Sequence, residues 1–351
     1  MTINWFPGHM HKARKEIAKV MDEIDLVIEV LDARLPMSSE NPLVTKLRRD
    51  RPVLKLLNKQ DLADPVRTQE WVDYFNGQEG ISAMAIDMSN KKLIAKIPDI
   101  AKKMVPPRSH DRPVRAMIMG IPNVGKSTMI NALIGRKIAK VGNEPAVTKA
   151  QKRYILKNGM SLSDTPGILW PKIEDQESGY ILATSGAIRD TAIEYELVAI
   201  FAAAFMLEAY PEELKVRYKL KTLPATDDEL LEEIGRKRGG LRPGGVIDMH
   251  KASEVLISDI RTGKFGRLSF ESVAHWERKF ALAEEQRLAE EAAAAEQAER
   301  DARNAERDAL HHAKAQAARD EKRRLEDAQQ ENASETQQAE DAQPRGRDVP
   351  E

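Results

Sequence analysis

The sequence contains no cysteine. That excludes disulfides and thiolate metal sites and suits a reducing cytosol. It also lacks a long apolar run. The longest, Leu197–Leu207, is too short to span a bilayer and is bracketed by Glu196 and Glu208. Met1–Met10 has no apolar core of the kind a signal peptide needs. A cytoplasmic protein with no membrane partner is therefore expected. A large net charge is missing too, the formal balance being −1 over 351 residues. That near-neutrality hides an asymmetry. Residues 276–351 carry 13 Lys/Arg against 20 Asp/Glu, whereas residues 1–275 carry 42 against 36. A basic body with an acidic tail is compatible with an RNA-rich partner, although the charge alone is a weak signal.

What the sequence does have is a phosphate-binding loop. Gly120-Ile121-Pro122-Asn123-Val124-Gly125-Lys126-Ser127-Thr128 carries both glycines and the closing Lys-Ser at the required spacing. An apolar run, Arg115–Met119, precedes it as a buried strand, and Lys126–Arg136 follows as a helix. Glycine lets the backbone approach phosphate oxygens that a Cβ would exclude. Loop N–H groups and the helix N-terminus bind the anion, Lys126 adds a charge, and Ser127 can ligate Mg²⁺.

Around this unit the pattern alternates. Strands are expected at Leu26–Leu31, Val53–Leu57, Ile81–Ile86, Arg153–Leu156 and Ser161–Ser163. Helices are expected at about His11–Ile24, Pro42–Asp50, Arg67–Phe75 and Leu93–Met104, with a linker at Val105–Pro113. Alternation of this kind implies a mostly parallel sheet covered on both faces, with ligand loops at the carboxyl ends of its strands. From about Asp190 the pattern turns helical: an apolar stretch Asp190–Tyr210 stopped by Pro211, a helix from Thr226 to about Arg238, and a last one at His250–Arg261. The basic residues Arg236, Lys237, Arg238, Arg242, Lys251, Arg261, Lys264 and Arg267 suggest a phosphate-backbone surface there. Residues 277–331 read as a solvated helix without a heptad seam, and Ala333–Glu351 as disordered.

Three further signals lie at strand ends. In Asn58-Lys59-Gln60-Asp61, Asp61 can accept from the N1–H and 2-amino group of guanine while Asn58 contacts the base edge. Adenine would leave that carboxylate unpaired, which costs ~1–3 kcal/mol or more. In Asp164-Thr165-Pro166-Gly167, Asp164 can hold Mg²⁺ through water and the Gly167 N–H can reach a γ-phosphate. Thr148 lies between the phosphate loop and Asp164, where a switch threonine would complete the Mg²⁺ shell. The order is unusual, because the guanine reader precedes the phosphate loop by about sixty residues. One sheet threaded in rotated order accounts for both, each half lacking what the other supplies. Ile168 occupies the position after Gly167 where Ras-like enzymes place a water-orienting glutamine.

These features together resemble a family. Trp5-Phe6-Pro7-Gly8-His9-Met10, Asp32-Ala33-Arg34 with Pro36, the guanine and phosphate loops, Asp164–Lys172 and Arg261–Glu271 are similar to the ribosome biogenesis GTPase A family, in register over about residues 1–273. The resemblance implies an α/β fold: a circularly permuted P-loop GTPase domain (1–178, N-terminal motif 1–13), an all-helical RNA-binding domain (179–275) and a helical then disordered tail (276–351). It implies a GTP-hydrolysing factor for a late step of large (50S) ribosomal subunit assembly. Such a factor would be a monomer bound to the subunit precursor through rRNA and ribosomal proteins, with no DNA partner. It also implies that His9 replaces the missing glutamine as the catalytic residue, that Asn123 helps coordinate K⁺, and that Asp87 and Met88 form the base-binding loop. The GTP-binding set is then Asn58, Lys59, Asp61, Asp87, Met88, Asn123, Val124, Gly125, Lys126, Ser127, Thr128 and Gly167, with Ser127, Thr148 and Asp164 serving Mg²⁺. A GTP-dependent RNA-binding switch acting on tRNA or translation without productive hydrolysis is the alternative. An ATPase fits worst, given Asp61.

Overall fold

Continuous apolar runs, not alternating ones, build the central strands, as parallel strands covered on both faces require. The computed structural model describes residues 6–106, 112–137, 152–156 and 158–341, apart from the side chains of His9 and 328–341. In chain order the elements begin α1 (Gly8–Met21), β1 (Leu26–Asp32), α2 (Pro36–Ser39), α3 (Pro42–Arg48), β2 (Val53–Asn58), α4 (Pro65–Asn76), β3 (Ile81–Ala85) and α5 (Lys91–Met104). They continue with β4 (Arg115–Met119), α6 (Lys126–Ile134), β5 (Lys152–Ile155) and β6 (Ser161–Asp164). The helical part comprises α7 (Gln176–Ser185), a 3₁₀ turn (Asp190–Ala192), α8 (Tyr195–Ala209), α9 (Pro211–Tyr218), α10 (Asp227–Arg238), α11 (Met249–Arg261) and α12 (Val273–Asp341). Among the described residues, no helix is long and apolar enough to cross a membrane.

The sheet runs β3-β2-β1-β4-β6-β5. All neighbouring pairs are parallel except β5 with β6. The chain therefore steps outward from β1 through β2 to β3, then returns to the other side of β1 with β4 and steps outward again to β6. The reversal between β1 and β4 is a topological switch point, and in such sheets ligands bind outside the carboxyl ends of the strands at that crevice. Both predicted loops end up there: Asn58–Asp61 follows β2, and Gly120–Gly125 follows β4.

Every residue of β1 and of β2 is buried. Two charges interrupt these apolar runs, and the register sets them side by side, Glu29 opposite Lys55. Lys55 Nζ meets Glu29 Oε2 at 3.1 Å and Glu40 Oε1 at 2.7 Å. Burial pushes the Glu29 carboxyl up and Lys55 opposes it. Removing Lys55 would leave the buried Glu29 without its cation, a change worth ~3–5 kcal/mol, whereas without Glu29 the ammonium keeps Glu40.

The first compact unit, Met1–Glu277, contains the sheet and the helices α7–α11 together; Arg278–Glu351 forms the second. Several expectations shift. Helix begins earlier than Asp190, because α7 starts at Gln176 with the Asp175 carboxylate capping Ser178 N. The stretch expected as one helix, 190–210, is a 3₁₀ turn followed by α8. Pro211 opens α9 instead of only ending a helix; proline's fixed φ and missing N–H suit a first helical position. In the second unit the helix passes Ala333, where disorder was expected, and reaches Asp341. Ala, Glu, Gln and Arg are strong helix formers, and i,i+4 pairs such as Arg300–Glu296, Arg303–Glu299 and Lys322–Glu326 line it. Residues 342–351 lie outside the described residues.

Candidate nucleotide-binding site

The phosphate loop has the backbone its sequence demands. Gly125, at the N-cap of α6, has φ +99, and a Cβ there would stand 2.4 Å from Asn58 Nδ2. Gly167 lies so close to the loop that a Cβ would come within 2.9 Å of both Lys126 Nζ and Pro122 Cα. Neither position admits a side chain without displacing the other loop. Lys126 Nζ donates to Ile121 O at 2.7 Å. Burial lowers its pKa to about 8, with Asp164 opposing. Burial likewise pushes Asp164 up to about 6, against the pull of Lys126. Among the described residues Asp164 Oδ1 is a buried polar atom with no hydrogen-bond partner. Such an atom, beside a phosphate-binding loop, fits a water-mediated divalent cation. Among the described residues no three His, Asp or Glu side chains converge on one point, so a cation here would take its other ligands from hydroxyls, phosphate oxygens and water.

The base-side residues are tied down. Asn58 is buried, and its Nδ2 donates to Val124 O at 2.7 Å, joining the Asn58–Asp61 loop to the phosphate loop. That amide nitrogen therefore braces the phosphate loop, a role beyond the base-edge contact expected from sequence. Lys59 has φ +63 and donates to Asp32 Oδ2 at 2.8 Å. Asp32 also receives both forks of Arg34, at 3.0 and 2.9 Å. These two cations hold its carboxyl far below the usual range despite burial. Asp87 is lowered by hydrogen bonds from the side chain and backbone of Ser89.

One cavity of about 1400 Å³ brings Asn58, Lys59, Asp61, Asp87, Met88, Asn123, Gly125, Lys126, Ser127, Thr128 and Gly167 together. That exceeds the ~300–1,000 Å³ usual for a single small ligand. Val124 contributes its carbonyl to Asn58, and Asp164 ends β6 behind Lys126. Thr148 lies outside the described residues, as does the His9 side chain, although its backbone starts α1. The neighbour of His9 is informative: Met10 is fully buried, and Leu169 N donates to its sulfur at 3.5 Å. Ile168, also fully buried, has its carbonyl held by Asn41 Nδ2 at 2.7 Å. The chain after Gly167 is thus gripped from two sides.

The far wall of the cavity comes from α7–α11. Arg217 forks onto Asp259 at 2.8 and 2.6 Å. Arg261 bonds Asp190 and the last carbonyls of α7 at Ala183 and Thr184. Lys251 pairs with Glu254. Outside the cavity, Arg236 pairs with Glu232 and Glu233, and Arg242 with Asp248. Much of the basic set read as a phosphate-backbone surface therefore has acidic partners within the molecule. Asn123, with φ +60, donates Nδ2 to Gly186 O at 2.7 Å, linking the phosphate loop to the end of α7. Sequence reasoning missed the parts played by Asp32, Arg34, Asn41 and Met10. The Asp32-Ala33-Arg34 strand end was visible, but not which lysine it would hold.

Comparison with known proteins agrees with this geometry. A family model described as 50S ribosome-binding GTPase matches residues 115–217. Ribosome biogenesis GTPase A of Priestia megaterium is 46% identical over 280 residues, which cover 77% of this chain and 97% of that protein. Two solved structures of YlqF, one GDP-bound and one GNP-bound from T. maritima, superimpose with TM-scores of 0.55 and 0.54 at 29% identity. They cover 74% of this chain and 99% and 98% of theirs. Motif order, sheet topology and 46% identity over 77% of the chain converge: the chain is a circularly permuted GTPase that belongs to the ribosome biogenesis GTPase A family.

Proposed function

We propose that this protein is a GTP-hydrolysing assembly factor for a late step of large ribosomal subunit biogenesis. The GTP form binds the subunit precursor and hydrolysis triggers release. The observation that carries the reading is the single cavity at the carboxyl ends of β1, β2, β4 and β6, where the base-reading and phosphate-gripping loops meet although the sequence places them in inverted order. The name printed for the matched relatives, and the 50S description of the matched family model, support the ribosomal partner.

In this reading residues 1–178 form the G domain and 179–275 a helical RNA-binding domain. The protein acts as a cytoplasmic monomer. Asp61 reads guanine, with Asn58 and Lys59 setting its loop and Asp87 and Met88 closing over the base. Asn123–Thr128 wrap the phosphates, Lys126 neutralises them, and the Gly167 N–H meets the outermost one. When bound, Mg²⁺ at Ser127, Thr148 and, through water, Asp164, with K⁺ at Asn123, supplies positive charge against the phosphate oxygens. His9 orients the attacking water, whose oxygen bonds to the γ-phosphorus as the bond to the β–γ bridging oxygen breaks; its protons leave with phosphate. The buried, aliphatic Ile168 cannot do this work. Met10, the residue after His9, ties the start of α1 to Leu169.

The test is GTP turnover in K⁺ and in Na⁺, with and without large subunits. Faster turnover with the particle in K⁺, lost in His9→Ala, is expected. No stimulation, with His9→Ala unchanged, would sink the hydrolytic role and favour a binding switch. Co-sedimentation with large-subunit precursors in a GTP analogue but not in GDP is the companion result, and equal binding in both states would overturn the release step.

A further inference from the structure

Behind the base-reading loop, three charged side chains form a closed set. Asp32 ends β1, and the register places it opposite Asn58, the residue before Lys59. Its carboxylate accepts from Lys59 at 2.8 Å and from both forks of Arg34 at 3.0 and 2.9 Å. Its own N–H donates to Ser39 Oγ at 3.0 Å. Lys59 sits at φ +63, a left-handed backbone that its Cβ disfavours, so an outside contact must hold it there. Asp32 supplies that contact.

Arg34 carries the set onward. It is only 2% exposed. Its Nη1 donates to Ile260 O at 3.4 Å, near the end of α11, and its carbonyl accepts from Phe270 N at 2.7 Å. The segment between those two partners grips the same base-reading loop from its other end. Leu268 N donates to Leu62 O at 2.9 Å, and Asp64 N donates to Ser269 Oγ at 3.2 Å. A Cβ on Gly263 would fall 2.6 Å from Leu62 Cδ2, so this segment lies hard against the loop. Residues 59–64 are thus clamped between the end of β1 and the chain after α11.

We infer that Asp32 and Arg34 are positioning residues for base selection, holding Lys59 and the Asp61 carboxylate where a base with an N1–H and a 2-amino group is read, and coupling that geometry to residues 260–270. The inference rests on the reading of Asp61 as the guanine acceptor. It gives the Asp32-Ala33-Arg34 strand end a task in specificity, where a buried ion pair that only stabilises the fold would have none.

Calorimetric titration of the full chain with GDP, IDP and ADP, alongside thermal melting, tests it. IDP lacks the 2-amino group, so the GDP:IDP ratio reports the carboxylate's placement. The wild type should prefer GDP over IDP and ADP. Arg34→Lys keeps the charge but not the fork, and should weaken GDP roughly tenfold or more while IDP falls less. Asp32→Asn should narrow the ratio further, and Arg34→Lys carries the test should Asp32→Asn fail to fold. Ser269→Ala should narrow it a few-fold, and an unchanged ratio there would break the link to the 260–270 segment. GDP and IDP weakened by one common factor, or unaffected, with only a lowered melting temperature would overturn the assignment. A wild type with no preference for GDP over ADP would instead sink the guanine reading itself.

Discussion

The two sides of the cavity are built on opposite electrostatic plans. On the base side, each buried charge has met its partner: Asp32 holds Arg34 and Lys59, and Asn58 is bonded to Val124. On the phosphate side, Lys126 rests on a backbone carbonyl and Asp164 keeps a buried oxygen without a partner among the described residues. Burial moves both of those groups toward neutrality, Lys126 to about 8 and Asp164 to about 6. The base side is thus preorganised for a neutral, hydrogen-bonding ligand. The phosphate side is arranged so that a polyanion and a cation restore the charges that burial disfavours.

Four changes would break or sharpen that contrast. The largest effect is expected for Lys126→Ala, which removes the phosphate loop's ammonium from the cavity. Nucleotide affinity should fall about a hundredfold or more in a fluorescent-GDP titration, and a loss below threefold would deny it that role.

Next comes Asp164. If Asp164 holds Mg²⁺ through water as proposed, the carboxylate form is required, so the Mg²⁺-dependent part of nucleotide affinity should climb as pH rises toward about 6 and level off above it. The climb should approach tenfold per pH unit at its acid end, and Asp164→Asn should remove it along with most of the Mg²⁺ dependence. The stability effect has the opposite sign. A carboxyl raised in the folded state holds its proton longer there, so stability should fall with rising pH between about 4 and 6 and stay flat in the variant.

Asn58→Ala, on the preorganised side, should cost ~1–3 kcal/mol by leaving the Val124 carbonyl unpaired. It should weaken GDP and lower the melting temperature together, whereas the Lys126 and Asp164 variants should fold at least as stably as the wild type.

The smallest effect on nucleotide binding is expected from Glu271. Its carboxylate accepts from Met37 N and from the backbone and hydroxyl of Ser38, yet burial raises it to about 7. Its neutral form is favoured by folding, so that contribution is present below about pH 4.5 and fades as pH rises through 7, by at most ~1.4 kcal/mol per unit. Glu271→Gln should flatten that slope in pH-dependent melting while leaving nucleotide affinity within twofold.

Much of this was legible in the sequence, and the reason is locality. Strand ends carrying Asn58–Asp61, Gly120–Thr128 and Asp164–Gly167 are runs of a few residues whose residue types can be recognised without knowing their distant partners. The β4 boundaries, Arg115–Met119, were read from apolarity alone. What stayed hidden is pairing across long separations. No periodicity says that Asn41 will hold the Ile168 carbonyl, that Glu271 will meet Ser38, or that Asp32 will choose Lys59. The helix α7 escaped because Ser178 and Gly179 weaken its local propensity, and only the tertiary core that buries Ile181 and Leu182 settles it. Pro211 misled for a different reason: the same missing N–H that ends one helix suits the start of the next.

That one nucleotide spans both sides of the cavity is tested most directly by changing the base and reading the phosphate chemistry. Asp61→Asn exchanges a carboxylate acceptor for an amide that suits xanthine, whose ring presents a carbonyl in place of guanine's 2-amino group. Steady-state turnover of GTP and XTP by this variant should show XTP hydrolysed at near the wild-type kcat, with KM for GTP raised about tenfold or more. GTP turnover left at the wild-type KM and kcat, with XTP inert, would show that the loop at Asp61 and the loop at Lys126 do not serve the same nucleotide.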